Sequence, residues 1–192
     1  MSSTEIFELR YSPNGRCSEK LVQLINETRS TIRAMVYGAT LEEVSEALVL
    51  AGKKREDGGR GVDVRMLLDK RQTYRDQAKF CDKLETAGKE GARIEVRLYS
   101  PGGRACMHHK VGIFDGKLVT TGSFNWTKNA EKNNNENLVT IENPEIAKAY
   151  AKIFEELWRI AAPEGKYKKI RRFGRFVLSF LPISARYYPA NQ

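Results

Sequence analysis

The sequence is poor in the residue types that build disulfide frameworks and metal sites. Its 192 residues include three cysteines, Cys17, Cys81 and Cys106, without C-x-x-C spacing, and two histidines, His108 and His109. An odd number of cysteines without such spacing argues against a disulfide framework and indicates a reducing compartment. Neighbouring residues of a strand point to opposite faces, so the two histidines do not form a zinc-binding pattern. We therefore expect a protein that uses neither a metal ion nor a cofactor.

Long apolar segments, internal repeats and low-complexity linkers are also missing. No apolar run reaches the roughly 20 residues that a membrane-spanning helix needs. Residues 1–10 lack the continuous apolar stretch of a signal peptide. The glycine-rich loop at residues 58–61 is not followed by the lysine of a phosphate-binding P-loop. These absences predict a cytoplasmic protein without a P-loop nucleotide site.

The net charge of +9 is concentrated near the C-terminus. Residues 163–192 carry seven basic side chains and one acidic side chain, a net of +6, and residues 1–162 carry a net of only +3. Apolar residues recur at helical spacing over residues 170–181, with arginines between them, which predicts a basic amphipathic helix. Three uses of this extension stay open: docking on the domain or on a second subunit, lying on an anionic membrane, or contacting a phosphate backbone.

Hydrophobic periodicity divides the rest of the chain into alternating strands and helices. Strands are predicted at residues 5–11, 31–38, 62–68, 93–99, 110–114, 118–121 and 137–141. Helices are predicted from Ser18 through Ile25, at residues 41–54 and 74–88, and from Pro144 to about Ile160. Strands alternating with helices, followed by a hairpin, indicate an α/β fold with a mixed β-sheet flanked by helices.

One segment of the sequence has the composition of a catalytic site. His108 and Lys110 are separated by one residue, Asp115 follows after four more, and a Gly-Ser-x-Asn run containing Ser123 and Asn125 begins six residues later. Side chains at positions i and i+2 of a strand share a face, so the histidine and the lysine would enter one pocket. A histidine can act as nucleophile or general acid near neutral pH. Ammonium and amide groups can hold phosphoryl oxygens, so the set suits attack on a phosphodiester.

The complete pattern resembles the HKD signature of the phospholipase D superfamily, and the resemblance extends from the turn at Tyr11–Gly15 to the helix that ends near Trp158. It predicts a phospholipase D-like catalytic domain at residues 1–162. It implies the α/β sandwich of that family and a covalent phosphohistidine at His108. It also implies that Lys110 and Asn125 hold the phosphate oxygens, that Ser123 supports the site and that Asp115 helps to order it. At the position of Glu136, the resemblance implies a carboxylate that orients His108 through a hydrogen bond. The basic extension at residues 163–192 falls outside the resemblance.

The mechanism needs two histidines, one to attack and one to protonate the leaving group, but the chain has a single motif. We therefore predict a homodimer in which a two-fold axis brings two copies of His108 and Lys110 into one composite site. Single-motif relatives assemble in this way. A sequence-nonspecific endonuclease that acts on DNA or RNA is the favoured function, because the resemblance to short single-motif members, which are mostly nuclease-like, implies it. The basic balance fits nucleic acid as well. The alternative is a phospholipase D or cardiolipin hydrolase that acts at anionic membranes. A silent nucleic-acid-binding module is disfavoured because the whole motif is present.

Overall fold

The structure is a computed structural model that describes residues 6–54, 59, 61–73 and 77–163. Its centre is an eight-stranded mixed sheet in the order β1-β7-β6-β5-β2-β3-β4-β8. The strands are β1 (Ile6–Ser12), β2 (Thr31–Val36), β3 (Asp63–Asp69), β4 (Ile94–Tyr99), β5 (Lys110–Phe114), β6 (Leu118–Gly122), β7 (Glu136–Glu142) and β8 (Ala162–Pro163). β2, β3 and β4 are parallel, and the other neighbouring pairs are antiparallel.

Helices cover both faces of the sheet. They are α1 (Cys17–Glu27), α2 (Glu42–Gly52), α3 (Lys70–Thr73), α4 (Ala78–Lys89), α5 (Lys128–Lys132) and α6 (Pro144–Ile160). One apolar core lies between the sheet and α1, α2 and α4, and a second lies between the opposite face and α6. α6 begins where the Asn143 side chain accepts hydrogen bonds from the N–H groups of Glu145 and Ile146, with Pro144 in the first turn. None of the helices in the described residues is both long and apolar enough to cross a bilayer.

The predicted fold class is confirmed, and the predicted elements match the observed ones with small shifts at their ends. The helix predicted at residues 74–88 begins at Ala78 within the described part of the chain. Periodicity missed α3, α5 and β8, because each has five residues or fewer and therefore too few for a recognisable repeat. The amphipathic helix predicted at residues 170–181 lies outside the described residues.

Candidate active site

A pocket opens at one end of the sheet, where β5 begins, β6 ends and β7 begins. It has a volume of about 550 Å³ and is lined by His108, Lys110, Gly122, Ser123, Asn125, Glu136 and Asn137. Five of the six residues predicted to form the site therefore lie around one cavity, and Asp115 lies elsewhere. The antiparallel pairing of β5 with β6 and of β6 with β7 brings these distant parts of the sequence to the same end of the sheet.

Lys110 is the buried cation of the pocket. Its side chain is at the first position of β5, and the residue is only 5% exposed. Nζ donates a hydrogen bond to the backbone carbonyl of His108 at 2.8 Å and lies 5.0 Å from the centre of the Tyr37 ring. Burial lowers the pKa of Lys110 to about 8. The ammonium group is therefore poorly solvated, and an anion in the pocket would compensate for the lost water.

His108 precedes β5 and is exposed at the mouth of the pocket. Its ring packs against Tyr37 with 4.6 Å between the ring centres. Burial by the surrounding protein lowers the pKa of His108, and the charge of Lys110 lowers it further, whereas the charges of Asp69 and Glu136 act in the opposite direction. A lowered pKa keeps the imidazole neutral at pH 7, which is the form that can attack phosphorus. His109 does not line the pocket.

The loop after β6 holds Ser123 and Asn125 in place by wrapping around Asn137. Gly122 has a φ of 140°, and a Cβ at this position would lie 2.3 Å from the Asn137 carbonyl oxygen. The N–H groups of Ser123 and Phe124 both donate to that carbonyl at 3.1 Å, and Ser123 Oγ accepts from the Asn137 N–H at 3.1 Å. Glycine is therefore required here by close backbone approach, and Ser123 fastens the loop to β7.

Asn125 presents an amide to the same cavity. Its Oδ1 is buried and has no hydrogen-bond partner among the described residues. A Cβ on Gly38 would lie 3.4 Å from that oxygen, so the oxygen is turned toward the protein. The Nδ2 donor is then the part of the amide left for a ligand in the pocket.

Glu136 lines the pocket but does not make the predicted hydrogen bond. Its Oε1 accepts from Asn134 Nδ2 at 3.0 Å, and no hydrogen bond joins it to His108 in the described part of the chain. Asn134, which supplies this hydrogen bond, is two residues away in sequence. Glu136 acts on His108 through its charge, which raises the pKa of the imidazole against the effect of burial.

Asp115 lies outside the pocket, at the far end of β5 from Lys110. Asp115 and Gly116 have φ values of 51° and 65°, and Lys117 N–H donates to the Phe114 carbonyl at 3.2 Å, which are the features of a type I′ hairpin turn. The Asp115 carboxylate accepts from the backbone N–H groups of residues 29, 30 and 31 and from the Ser30 hydroxyl, at 2.7–3.0 Å. The carboxylate thus joins the β5–β6 turn to the start of β2.

Replacing Asp115 should weaken folding without changing the chemistry. Burial raises the pKa of Asp115, but hydrogen bonds from Ser30, Arg29 and Thr31 outweigh it and lower the pKa below its ordinary value. The stabilisation is therefore present above the ordinary carboxyl pKa and is lost as the pH falls through the lowered value. We expect Asp115→Asn to lose about 1–3 kcal/mol of unfolding free energy at pH 7. The difference should shrink in urea titrations as the pH falls from 7 through the lowered pKa of Asp115, and an equal loss at neutral and at acidic pH would contradict it.

Three residues behind the pocket were not predicted from the sequence. Tyr37 follows β2, and Asp69 and Gln72 lie at the end of β3 and in α3. Asp69 is fully buried and accepts a hydrogen bond from the Met107 N–H at 2.8 Å. Polar residues at the carboxyl ends of neighbouring parallel strands meet at one edge of a sheet, and this rule could have drawn attention to Tyr37 and Asp69. It does not apply to Gln72, which lies in α3.

Comparison with known proteins agrees with this geometry. Residues 21–158 match the family model described as "Cardiolipin synthase, PLD-like domain". The chain is 30% identical over 148 residues to a mitochondrial cardiolipin hydrolase of Chlamydomonas reinhardtii and 35% identical over 140 residues to a phospholipase D of Rickettsia prowazekii. These alignments cover 77% and 73% of the chain but only 60% and 62% of the two relatives.

One solved structure is similar to this chain over nearly the whole length of the solved protein. The phospholipase D family member Nuc of Salmonella typhimurium superposes with a TM-score of 0.73 at 32% identity, and the match covers 83% of this chain and 97% of Nuc. The residues matched by the family model include His108, Lys110 and Asn125. This chain therefore belongs to the phospholipase D superfamily.

Proposed function

We propose that this protein is a metal-independent, sequence-nonspecific endonuclease that cleaves phosphodiester bonds of DNA or RNA through a phosphohistidine at His108. One observation carries the proposal. The buried ammonium of Lys110, the amide of Asn125 and the exposed imidazole of His108 line a single pocket. Two donors for phosphoryl oxygens beside a neutral nucleophile are the groups that phosphodiester cleavage requires.

The reaction would proceed in two balanced steps. In the first, an imidazole nitrogen of His108 forms a bond to phosphorus while the bond from phosphorus to the leaving oxygen breaks, and that oxygen takes a proton from a second imidazolium. In the second, the same second imidazole takes a proton from water, whose oxygen attacks phosphorus as the P–N bond breaks. Lys110 and Asn125 stabilise the charge on the non-bridging oxygens in both steps.

The second imidazole would come from a second copy of the chain. His109 does not line the pocket, and the sequence has no other histidine besides His108. A two-fold axis beside the pocket would bring two His108 side chains to one phosphate, with one acting as nucleophile and the other as acid. The proposed active species is therefore a homodimer with one shared site.

An apolar face beside the pocket supports this assembly. Phe7, Leu9 and Tyr11 alternate along β1 and are 63%, 58% and 62% exposed. They lie on the α6 side of the sheet next to Ile141 and Val139 of β7, and α6 leaves this edge uncovered among the described residues. We call these five residues the β1–β7 face. A strand at a free surface normally turns its polar side chains outward, so this arrangement is typical of an interface.

The other side of β1, which faces α1, carries charged side chains instead of apolar ones. Glu8 lies on that side and pairs with Lys20 of α1 at 2.6 Å and with Arg10 at 2.7 Å. The β1–β7 face reaches the pocket directly, because Tyr11 pairs with Asn137 and Ser12 pairs with Glu136. A second copy bound on the β1–β7 face would therefore lie beside the open half of the site.

The composition of the pocket supports nucleic acid as the proposed substrate. Its lining consists of glycine and polar side chains, without an aliphatic wall for an acyl chain. Recognition through phosphate oxygens alone needs no base contact, which favours cleavage without sequence preference. The likeness to Nuc covers nearly all of that protein, whereas the cardiolipin hydrolase and the phospholipase D are longer than the matched region.

A metal-free cleavage assay tests the proposed function. The protein is incubated with plasmid, single-stranded DNA and RNA in excess EDTA, with His108→Ala as the control for contaminating nucleases. We expect cleavage of at least one nucleic acid by the native chain and none by the variant. Release of phosphatidic acid from cardiolipin vesicles without nucleic-acid cleavage would replace this proposal with the phospholipase alternative. Binding of nucleic acid without turnover of either substrate would indicate a silent binding module.

The protonation of Lys110 should control phosphate affinity. Burial lowers the pKa of Lys110 to about 8. The side chain is therefore mostly protonated well below that pH and mostly neutral well above it. In the inactive His108→Ala variant, affinity for a fluorescent dinucleotide should be constant near pH 7 and fall by up to about tenfold per pH unit above about 8. Fluorescence polarisation measures this binding.

The matched control for that titration is His108→Ala combined with Lys110→Arg. Because a guanidinium remains charged up to about pH 12, affinity in this variant should lack the alkaline decrease. Equal pH profiles for the lysine and arginine forms would show that Lys110 does not hold the phosphate.

A further inference from the structure

The ring of Tyr37 contacts both central side chains of the pocket. Its centre lies 4.6 Å from the His108 ring, with the planes inclined by 57°, and 5.0 Å from Lys110 Nζ. The Tyr37 N–H also donates to the His109 carbonyl at 2.8 Å, which ties the chain after β2 to the segment that carries the motif. One aromatic ring thus limits the movement of the imidazole and of the ammonium.

Tyr37 is itself anchored from α3. Gln72 Nε2 donates to the Tyr37 hydroxyl at 2.6 Å, and the Gln72 N–H approaches Asp69 Oδ1 at 3.4 Å. The other carboxylate oxygen of Asp69 accepts from the Met107 N–H at 2.8 Å, one residue before His108. Asp69 is fully buried at the end of β3. These contacts connect the end of β3 to α3, α3 to Tyr37 and Tyr37 to His108. The residue before His108 is hydrogen-bonded back to the end of β3.

We propose that Tyr37, Gln72 and Asp69 form a positioning network that holds His108 and Lys110 in the geometry for attack on phosphorus. The proposal rests on the proposed function, since it assigns these residues to the same site. An exposed side chain changes rotamer within picoseconds to nanoseconds, whereas in-line attack needs the reacting atoms about 3–3.5 Å apart. Packing of His108 on an anchored ring reduces this freedom. The ring face also favours a cation beside it, which suits the Lys110 ammonium.

Variants of the Tyr37–Gln72 pair give kinetic predictions. Tyr37→Ala should lower kcat by about tenfold to a hundredfold with little change in KM, because a displacement of about 1 Å at a reacting group has effects of this size. Tyr37→Phe keeps the ring and should remain within about tenfold of the native rate, as should Gln72→Ala. Since the hydroxyl and the amide act through one hydrogen bond, the double variant should be no slower than the slower single variant.

The matched control is Gln23→Ala, which removes an exposed amide that donates to Glu27 at 2.9 Å on α1. It should leave kcat unchanged. Additive losses in the Tyr37→Phe and Gln72→Ala pair would show that their hydrogen bond does not couple them during turnover, and would overturn the network. This double-variant comparison stands even if Tyr37→Ala fails to fold.

Nuclear magnetic resonance tests the network without any turnover. The chain has two histidines, so two imidazole titrations are observed, and the His109→Ala variant assigns them. Tyr37→Ala should move the His108 midpoint to higher pH, because burial is the main cause of its lowered pKa. An unchanged His108 midpoint in folded Tyr37→Ala would overturn the network and leave the proposed function intact. A native protein that cleaves no phosphodiester would instead overturn the proposed function, and the titration would still report on the packing.

Discussion

His108→Ala should reduce phosphodiester cleavage by roughly 10⁴-fold or more, because removal of a covalent nucleophile leaves only binding and charge stabilisation. The side chain is exposed at the pocket mouth, and its one polar contact with Lys110 uses the backbone carbonyl, which alanine retains. Folding should therefore be preserved. Initial cleavage rates in EDTA, measured together with the thermal unfolding midpoint, separate loss of chemistry from loss of structure.

His109→Ala is the matched control for this variant. His109 adjoins the nucleophile in sequence but does not line the pocket, and its contact with Tyr37 uses the backbone carbonyl. It should cleave at close to the native rate. The opposite pattern, with His109→Ala inactive and His108→Ala active, would reject the nucleophile assigned here. Trapping of radioactive phosphate on the native protein but not on His108→Ala would locate the covalent bond.

Leu9→Glu should dissociate the proposed dimer and abolish activity with it. Leu9 lies at the centre of the β1–β7 face and is 58% exposed in the single chain, so the substitution should be tolerated by the folded monomer. Burial of an unpaired carboxylate in an apolar interface costs about 4 kcal/mol, which weakens the dimer roughly a thousandfold. As the protein is diluted, the sedimentation coefficient and the cleavage rate should decrease over the same range of protein concentration.

Leu50→Glu provides a control of the same chemistry. Leu50 is 66% exposed on α2, on the other side of the sheet, and should tolerate the charge without change of mass or rate. A Leu9→Glu protein that is monomeric and fully active would refute the shared site. If the Leu9→Glu protein has the same mass in solution as the native protein, the β1–β7 face is not the interface with a second copy. A lipid surface and residues 164–192 are then the occupants to test.

A purified heterodimer of native and His108→Ala chains tests the shared site without disturbing the interface. A composite site that needs both imidazoles should leave the heterodimer with less than about 1% of native activity. Two independent sites would instead leave about half of it. Two different affinity tags, one on each chain, allow this species to be isolated from the homodimers.

The spacing of the motif predicted the local arrangement of the site well. His108 and Lys110 share the pocket, and the strands at residues 110–114 and 118–121 appear with at most one residue of difference at an end. The two strands and the two-residue turn between them are local properties, set by neighbouring residues, whereas His108 precedes β5 and reaches the pocket from outside the strand. The Asp115–Gly116 turn needs two left-handed residues in succession, which this dipeptide accommodates readily.

Contacts between distant segments could not be predicted from local sequence patterns. The hydrogen bond expected between Glu136 and His108 is not made in the described part of the chain, and Glu136 accepts one from Asn134 instead. The chain order gave no sign that Gln72 would hold Tyr37, since 35 residues separate them. Both outcomes depend on how β2, β3 and β7 are arranged around the pocket.

By itself, the sequence determined the family, the motif strand and the residues that can do chemistry, because these depend on residue type and on spacing along one short unit. Only the tertiary structure decided that Lys110 is buried and that Asp115 lies away from the pocket. It also decided that β1 exposes an apolar face next to the pocket. The physical reason is that burial and long-range pairing arise from the order of the strands in the sheet, which no local pattern encodes.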